Sequence, residues 1–156
     1  MNIDTLEKYM RIALNAANEG SGYGESPFGA CILINNETIV SSSNKTMSER
    51  IPISHAEMKV LQELKQMDIT KINSLVLFST CEPCIMCFWA AYLCGVREFT
   101  WGISINDAIA LDSGDIPISI MDINAKYNLG LVINAGICKE ACLNLMVNHK
   151  KRLGHL

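Results

Sequence analysis

The sequence predicts an α/β fold: a three-layer domain in which helices cover both faces of one sheet. Amphipathic helical patterns alternate along the chain with short apolar runs of strand length, and this alternation is typical of that class. The 156 residues match the length of one domain, and we find no linker or internal repeat that divides residues 1–156. Hydrophobic residues make up 49% of the chain and charged residues 19%, which excludes intrinsic disorder.

The first elements are a helix and a hairpin. Apolar residues recur at helical spacing from Thr5 to Ala17, and the glycines between Glu19 and Pro27 predict a loop. Phe28 to Ile34 is an apolar run of strand length. Asn35-Asn36 predicts a tight turn from this strand into a second one, Thr38 to Ser42.

Two central helices follow, with strands between and after them. Ser54 is the candidate N-cap of a helix from about His55 to Met67. Leu75 to Ser79 predicts a short strand. Pro83 predicts the start of the second helix, because proline suits the first helical turn. Glu98 to Gly102 predicts another strand.

The last third of the chain has a weaker pattern. Ile103 to Ile123 contains four aspartates and predicts an ordered loop with a turn of helix. Leu129 to Ile133 predicts the last strand, and Gly136 to Lys151 predicts a closing helix. The basic run from Lys150 to Arg152 is typical of a helix C-terminus, where cations interact favourably with the helix dipole. His149 and His155 fall in a polar tail, where we expect them to be solvated.

Composition and charge narrow the classes of function. The net charge of −3 provides no overall field that attracts nucleic acid. The N-terminus lacks the pattern of a secretory signal, and the longest uncharged run, Pro83 to Val96, is too short for a membrane span. We therefore expect a cytoplasmic protein. Because the cytosol keeps thiols reduced, the seven cysteines indicate a metal site or catalysis rather than disulfides.

Two short motifs supply the residues of a metal site. Cys84 and Cys87 are three positions apart in the first turn of a predicted helix, so their sulfurs share one face. His55, at the other helix start, completes a set of three ligands, and three ligands with an open position describe a catalytic zinc site. Glu57 is placed to exchange a proton with a zinc-bound water. Lys59 stands where a zinc protease has its second histidine, so that class is excluded.

Two other metal sites compete with this interpretation. Cys81 could be a fourth ligand and close a structural zinc site. The spacing of Cys81, Cys84 and Cys87 also imitates an iron–sulfur run, although Ala91 stands where its fourth cysteine belongs. The remaining cysteines lie among apolar neighbours and are predicted to fill the core. They are Cys31, Cys94, Cys138 and Cys142.

His55-x-Glu57 together with Pro83-Cys84-x-x-Cys87 resembles the signature of the cytidine deaminase superfamily. Pro27-Phe28-Gly29-Ala30, Asn44 and Phe88 are similar to the purine branch, which comprises guanine deaminases and tRNA adenosine deaminases. The resemblance is clear from Leu6 to Gly102. It implies a cytidine deaminase-like α/β/α sandwich with a five-stranded mixed sheet, both zinc-binding helices on one face, and a homodimer.

The same resemblance implies a mechanism. His55, Cys84 and Cys87 hold one Zn²⁺ per chain and a water, and Glu57 removes the proton of that water. Hydroxide attacks the amine-bearing ring carbon, Glu57 protonates first the ring nitrogen and then the amine, and ammonia leaves. The implied substrate-binding residues are Phe28, Asn44, Ala56, Glu82 through its carbonyl, and Asp112, with Asp115 as the alternative to Asp112.

The substrate class follows from charge and from the resemblance. The acidic loop and the negative net charge favour a small nucleobase or nucleoside over tRNA, and conversion of guanine to xanthine is the leading expectation. Trp89, Leu93 and a C-terminus, Gly154 to Leu156, without an aromatic residue depart from guanine deaminases and leave other heterocycles compatible. The alternatives are a tRNA-specific adenosine deaminase, which forms inosine, and a non-catalytic zinc-binding domain.

Overall fold

The computed structural model describes residues 1–154, except the side chains at positions 38 and 69. Positions 155 and 156 lie outside the described residues, and so does the expectation for His155. The helices and strands in chain order are α1 Ile3–Gly22, β1 Gly29–Ile34, β2 Thr38–Ser43, α2 Thr46–Glu49, α3 Ala56–Gln62, β3 Leu75–Cys81, α4 Ile85–Leu93, β4 Glu98–Ile103, α5 Ile105–Ile109, α6 Ile120–Tyr127, β5 Val132–Ala135 and α7 Lys139–Arg152. Two short 3₁₀ turns, Glu63–Gln66 and Ile69–Lys71, connect α3 to β3.

The five strands form one mixed sheet in the order β2-β1-β3-β4-β5. Strand β1 pairs antiparallel with both β2 and β3, whereas β3, β4 and β5 run parallel. Both asparagines of the β1–β2 turn, Asn35 and Asn36, have positive φ angles of 52° and 61°, as the sequence of the turn predicts. The α/β class and the five-stranded mixed sheet are thereby confirmed.

Helices cover both faces of this sheet, because successive side chains of a buried strand point to opposite faces. Cys31 and Leu33 of β1 pack into the cluster formed with α1 and α7. Ala30 and Ile32 of the same strand pack into the cluster formed with α3 and α4. The helices that begin beside His55 and Cys84 therefore share one face. In the described part of the chain, none of the helices is long and apolar enough to span a membrane.

Helix α1 runs further than the sequence predicts. The loop expected from Glu19 to Pro27 begins only after Gly22, the last residue of α1. Gly20 lies inside the helix because it packs against β2: a Cβ built on it would lie 2.4 Å from the Cβ of Ser43. The glycine thus permits a close helix–strand contact and does not end the helix.

Three other local predictions need correction. His55, not Ser54, is the N-cap residue of α3, since the Ser54 hydroxyl instead donates to Glu49. The expected loop between β4 and β5 contains two helices, α5 and α6. His149 lies inside α7, where Nδ1 is 2.7 Å from the hydroxyl oxygen of Ser21. The basic run from Lys150 to Arg152 falls in the last turn of α7, as predicted, and His149 belongs to the same turn.

The cysteines expected in the core divide into two groups. Cys31 and Cys142 are buried, as predicted. Cys94 is exposed, because it is the C-cap residue of α4, and Cys138 is half-buried at the start of α7. Cys81 is the buried last residue of β3. All seven cysteines are free thiols.

Candidate active site

The three predicted metal ligands meet at the N-terminal ends of α3 and α4. His55 and Cys84 are the N-cap residues of these helices, both in extended conformation, and neither side chain is used to cap its helix. The Sγ atoms of Cys84 and Cys87 lie 3.7 and 3.6 Å from Nδ1 of His55. Two helix starts therefore present their ligands to one point.

This donor set fits a zinc ion. One ligand atom from each of His55, Cys84 and Cys87 lies within 4.8 Å of the others, and thiolate with imidazole is a combination that zinc prefers. Within the described residues, the group does not include Cys81, whose Sγ instead approaches the carbonyl oxygen of Ser104 at 4.0 Å. Three protein ligands leave a coordination position for water, which favours a catalytic site over a closed structural one.

The charges of the ligands are strongly coupled. The hydrogen bond from Cys87, helped by that from His55, lowers the pKa of Cys84 to about 4 against the opposing effect of burial. The hydrogen bond to Cys84 raises the pKa of Cys87, and burial raises it further. The hydrogen bond with Cys84 likewise raises the pKa of His55. The site thus stabilises a thiolate at Cys84, and a thiolate is the form of cysteine that binds metal.

Glu57 lies beside this group and is almost fully buried. Its side chain belongs to the first turn of α3, and Oε1 accepts a hydrogen bond of 2.9 Å from the hydroxyl of Ser79 in β3. Burial raises the pKa of Glu57, and negative charge at Cys84 raises it further. A carboxyl group whose pKa moves toward neutrality is suited to take up and release a proton.

Sequence reasoning missed Ser79, the hydrogen-bond donor to Glu57. Its signal was present but weak: a polar pair, Ser79-Thr80, ends the otherwise apolar run of β3. Because this strand is buried along its whole length, its polar side chains need partners. The pattern identifies a polar position in the core, and the fold alone pairs it with Glu57.

A narrow cleft of about 30 Å³ opens onto these groups. Besides the predicted metal ligands His55 and Cys84 and the carboxylate of Glu57, its walls include four further residues. They are Phe28, Cys81, Glu82 and Asp115. Ligand sites that enclose a small molecule usually measure about 300–1,000 Å³, so this cleft is too small to enclose a whole ligand.

The predicted substrate-binding residues take different positions. Phe28 and Glu82 line the cleft, and Ala56 is buried as the first residue of α3. Asn44 is buried next to Phe28, whose carbonyl oxygen accepts from the Asn44 backbone amide at 2.9 Å. The Asn44 side-chain amide donates to Thr46 at 2.7 Å. The roles of these residues toward a substrate stay predictions.

The shape of their loop places the side chains of the two candidate aspartates in different surroundings. Asp112, the residue preferred from the sequence, points outward with 89% of its side chain exposed and forms a salt bridge of 2.6 Å with Lys150. Positive φ angles of 52° at Asp112 and 81° at Gly114 turn the chain between them. Asp115 then lines the cleft. The geometry therefore favours Asp115 as the residue that faces a substrate.

The family model and the similar proteins of known function are all deaminases. Residues 3–103 match the family model of the cytidine and deoxycytidylate deaminase zinc-binding region. The chain is 31% identical over 140 residues to the tRNA-specific adenosine deaminase of Bacillus subtilis strain 168, covering 87% of this chain and 83% of that protein. It is 31% identical over 110 residues to the guanine deaminase of the same organism, covering 69% of each protein.

A solved structure shows the same fold. The guanine deaminase from Nitrosomonas europaea superimposes with a TM-score of 0.79, at 21% identity, over 93% of this chain and 84% of the other. At this identity the similarity concerns the fold. The five-stranded mixed sheet and its flanking helices are common to both proteins.

Proposed function

This chain belongs to the family of the cytidine and deoxycytidylate deaminase zinc-binding region, and on that premise we propose that it hydrolytically releases ammonia from an amino-substituted nucleobase. The leading substrate is guanine, with xanthine as the product. The observation that carries the proposal is the position of Glu57. Its carboxyl group is buried, held by Ser79, and directed toward a three-ligand metal group that leaves one position open.

The chemistry is divided between the metal and Glu57. His55, Cys84 and Cys87 would hold a zinc ion, and the chemistry it would supply is a water whose pKa is lowered toward ~7. Glu57 takes one proton from the attacking water and passes it to the ring nitrogen, then takes the second proton from the added hydroxyl group and passes it to the departing amine. Water supplies the oxygen that replaces the amine, so the exocyclic C–N bond to the amine is exchanged for a C–O bond and ammonia is released. The Ser79 hydroxyl keeps the Glu57 carboxylate directed into the cleft.

The walls of the cleft support a small aromatic substrate. Phe28 offers an aromatic face, and Asp115 offers a carboxylate that accepts hydrogen bonds from the amine and ring N–H groups of a purine. Asp115, Glu57 and Glu82 give the cleft an acidic character that disfavours a phosphate-rich ligand. The guanine deaminases among the similar proteins agree with this choice.

A tRNA adenosine is the second candidate. It is favoured by the similarity to the tRNA-specific adenosine deaminase over 140 residues, and by the basic last turn of α7, from His149 to Arg152. The net charge of −3 weighs against tRNA.

The third candidate is a zinc-binding domain without turnover. It leaves the buried Glu57 without a role.

An ammonia-release screen tests the proposal. Zinc-loaded protein is incubated with guanine, adenine, cytosine, their nucleosides and a tRNA anticodon arm. We expect turnover of guanine or a related free base. Turnover confined to the anticodon arm, with affinity that falls steeply as salt rises, establishes the second candidate instead. Absence of turnover with all substrates at full zinc occupancy supports the third.

We further propose that the protein is a cytoplasmic homodimer of chains that each form one domain. The seven free thiols suit a reducing compartment. An apolar face, defined by Ile85, Trp89, Ile118 and Tyr127, surrounds a groove of about 700 Å³ between α4 and α6. These side chains are 38–63% exposed. Ile85 follows Cys84 directly, so a second copy seated on this face would enlarge the wall of the narrow cleft.

A further inference from the structure

The carboxylate of Glu82 connects three elements next to the metal ligands. Glu82 follows the last residue of β3, stands two residues before Cys84, and is 3% exposed. Its Oε2 atom accepts a hydrogen bond of 3.0 Å from the backbone amide of Ile105, at the start of α5. Its Oε1 atom accepts two bonds of 2.7 Å at the start of α6, from the hydroxyl of Ser119 and the amide of Ile120.

These two helices enclose the segment that carries Asp115. Helix α5 ends at Ile109 and α6 begins at Ile120, so residues 110–119 are anchored by Glu82 on both sides. The segment itself is irregular, with positive φ angles at Asp112 and Gly114. Besides the salt bridge from Asp112 to Lys150, its position depends on the two flanking helices, and the first residue of each of these helices is bonded to Glu82.

The tie, meaning the connection of Glu82 to the starts of α5 and α6, consists of hydrogen bonds alone. Within the described residues, no lysine or arginine forms a salt bridge with Glu82. Three donors satisfy the carboxylate in a buried place, where leaving a donor or acceptor without a partner is costly. A side chain of the same shape that cannot accept from all three donors should release one or both helix ends.

We propose that Glu82 is a positioning residue, whose carboxylate fixes α5 and α6 and so holds Asp115 at the zinc cleft. The consequence for turnover rests on the deaminase function proposed above, whereas the tie itself does not. Asp115 lines the same cleft as Glu57 and His55. A shift of the segment would therefore misplace the substrate contact and leave the metal ligands in position.

Hydrogen–deuterium exchange of the zinc-loaded protein tests the tie without any substrate. Glutamine retains one acceptor oxygen, so we expect Glu82→Gln to make exchange of the Ile105 amide, the Ile120 amide or both at least about tenfold faster, as loss of a buried hydrogen bond to a charged group predicts. Glu25→Gln is the matched control, because Glu25 is a 2% exposed carboxylate that accepts from the amides of Met47 and Ser48. It should accelerate exchange at residues 45–49 and not at 104–121.

Ser119→Ala removes one of the three bonds together with the N-cap bond from the Met121 amide, so it should accelerate exchange at the start of α6 and leave the Ile105 amide unchanged. Unchanged exchange at both amides in Glu82→Gln overturns the proposal. Loss of zinc in Glu82→Gln also overturns it, because the residue would then support the metal ligands rather than the segment.

Steady-state kinetics with guanine as the substrate show whether Glu82 affects turnover through Asp115. We expect Glu82→Gln to lower kcat/KM about tenfold in the wild-type background, mainly through KM, and to change it less than about twofold in an Asp115→Asn background. Equal effects in both backgrounds contradict a role through Asp115. If wild-type protein releases no ammonia from guanine, that substrate is wrong, and the exchange measurements still decide the tie.

Discussion

At the scale of single residues, the proposed mechanism assigns metal binding and proton transfer to different side chains. Glu57 does not belong to the group of metal ligands, and its carboxylate is held by Ser79. We therefore expect Glu57→Gln to keep one zinc per chain and to reduce turnover by about 10²–10⁴-fold, the usual contribution of a general acid–base group. Elemental analysis and ammonia release measure the two quantities. Glu63→Gln, in the 3₁₀ turn after α3, is the control and should keep both.

Normal activity of the Glu57→Gln variant contradicts the proposed mechanism. Loss of zinc contradicts it in another way, because the carboxylate would then be needed to hold the metal. The two outcomes are separated by measuring metal content in the same preparation that is assayed.

The cysteines allow a second prediction with a control in the same helix. Cys84 and Cys87 lie in the ligand group, whereas Cys94 is exposed at the other end of α4. Serine at position 84 or 87 removes a thiolate ligand, so we expect loss of zinc and of activity. Cys94→Ser should retain both. Full zinc occupancy in Cys84→Ser would show that the metal is held elsewhere.

At the scale of elements, the contact between α1 and β1 depends on a glycine. A Cβ built on Gly29 would lie 2.2 Å from the carbonyl oxygen of Ala13 and 2.6 Å from the amide of Ala17, and these backbone atoms cannot rotate away. We expect Gly29→Ala to lower the free energy of unfolding by about 2 kcal/mol or more, as overpacking does.

Gly22→Ala is the matched control for this change. Gly22 lies in the last turn of α1, and a Cβ there meets nothing within 4 Å. Its effect should be neutral, or stabilising by up to about 1 kcal/mol, because alanine favours the helix. Urea unfolding of both variants measures the difference, and equal stabilities would contradict the close contact at Gly29.

The metal motif was predictable from the sequence because its spacing is local. Cys84 and Cys87 are neighbours within one turn, and His55 and Glu57 lie together at the start of another helix. Ser79 was not predictable as the partner of Glu57, because it comes from a separate strand. Pairing across elements depends on the sheet order, which the spacing of residues does not encode.

The choice between the two aspartates depends on tertiary geometry for a related reason. The sequence favours Asp112, whereas Asp115 lines the cleft. The two residues are separated by a turn with positive φ angles at Asp112 and Gly114, and a single residue of shift in such a turn redirects the following side chains. Likewise, the sequence predicts a loop at Gly20, because the local pattern does not contain its contact with Ser43.

At the scale of the whole molecule, helix α4, which carries Cys87, contributes to an exposed apolar surface. Trp89 is 50% exposed and stacks on Tyr92, with 5.4 Å between the ring centroids. Leu93, on the last turn of the same helix, is 70% exposed. Contiguous exposed apolar side chains mark association sites more often than isolated ones do. A twofold dimer would bury this face once on each chain.

Replacing one central side chain of the apolar face tests the dimer. We expect the wild-type protein to have the mass of two chains in light scattering at micromolar concentration, and Trp89→Glu to have the mass of one, because association would bury the new charge without a partner. Tyr23→Glu is the control, since Tyr23 is 88% exposed beyond α1, which covers the opposite face of the sheet. A wild-type monomer, or a dimer that persists in Trp89→Glu, contradicts this interface. If the second copy also completes the cleft, the monomeric variant should keep its zinc and bind guanine more weakly, which separates a catalytic role of the interface from a purely structural one.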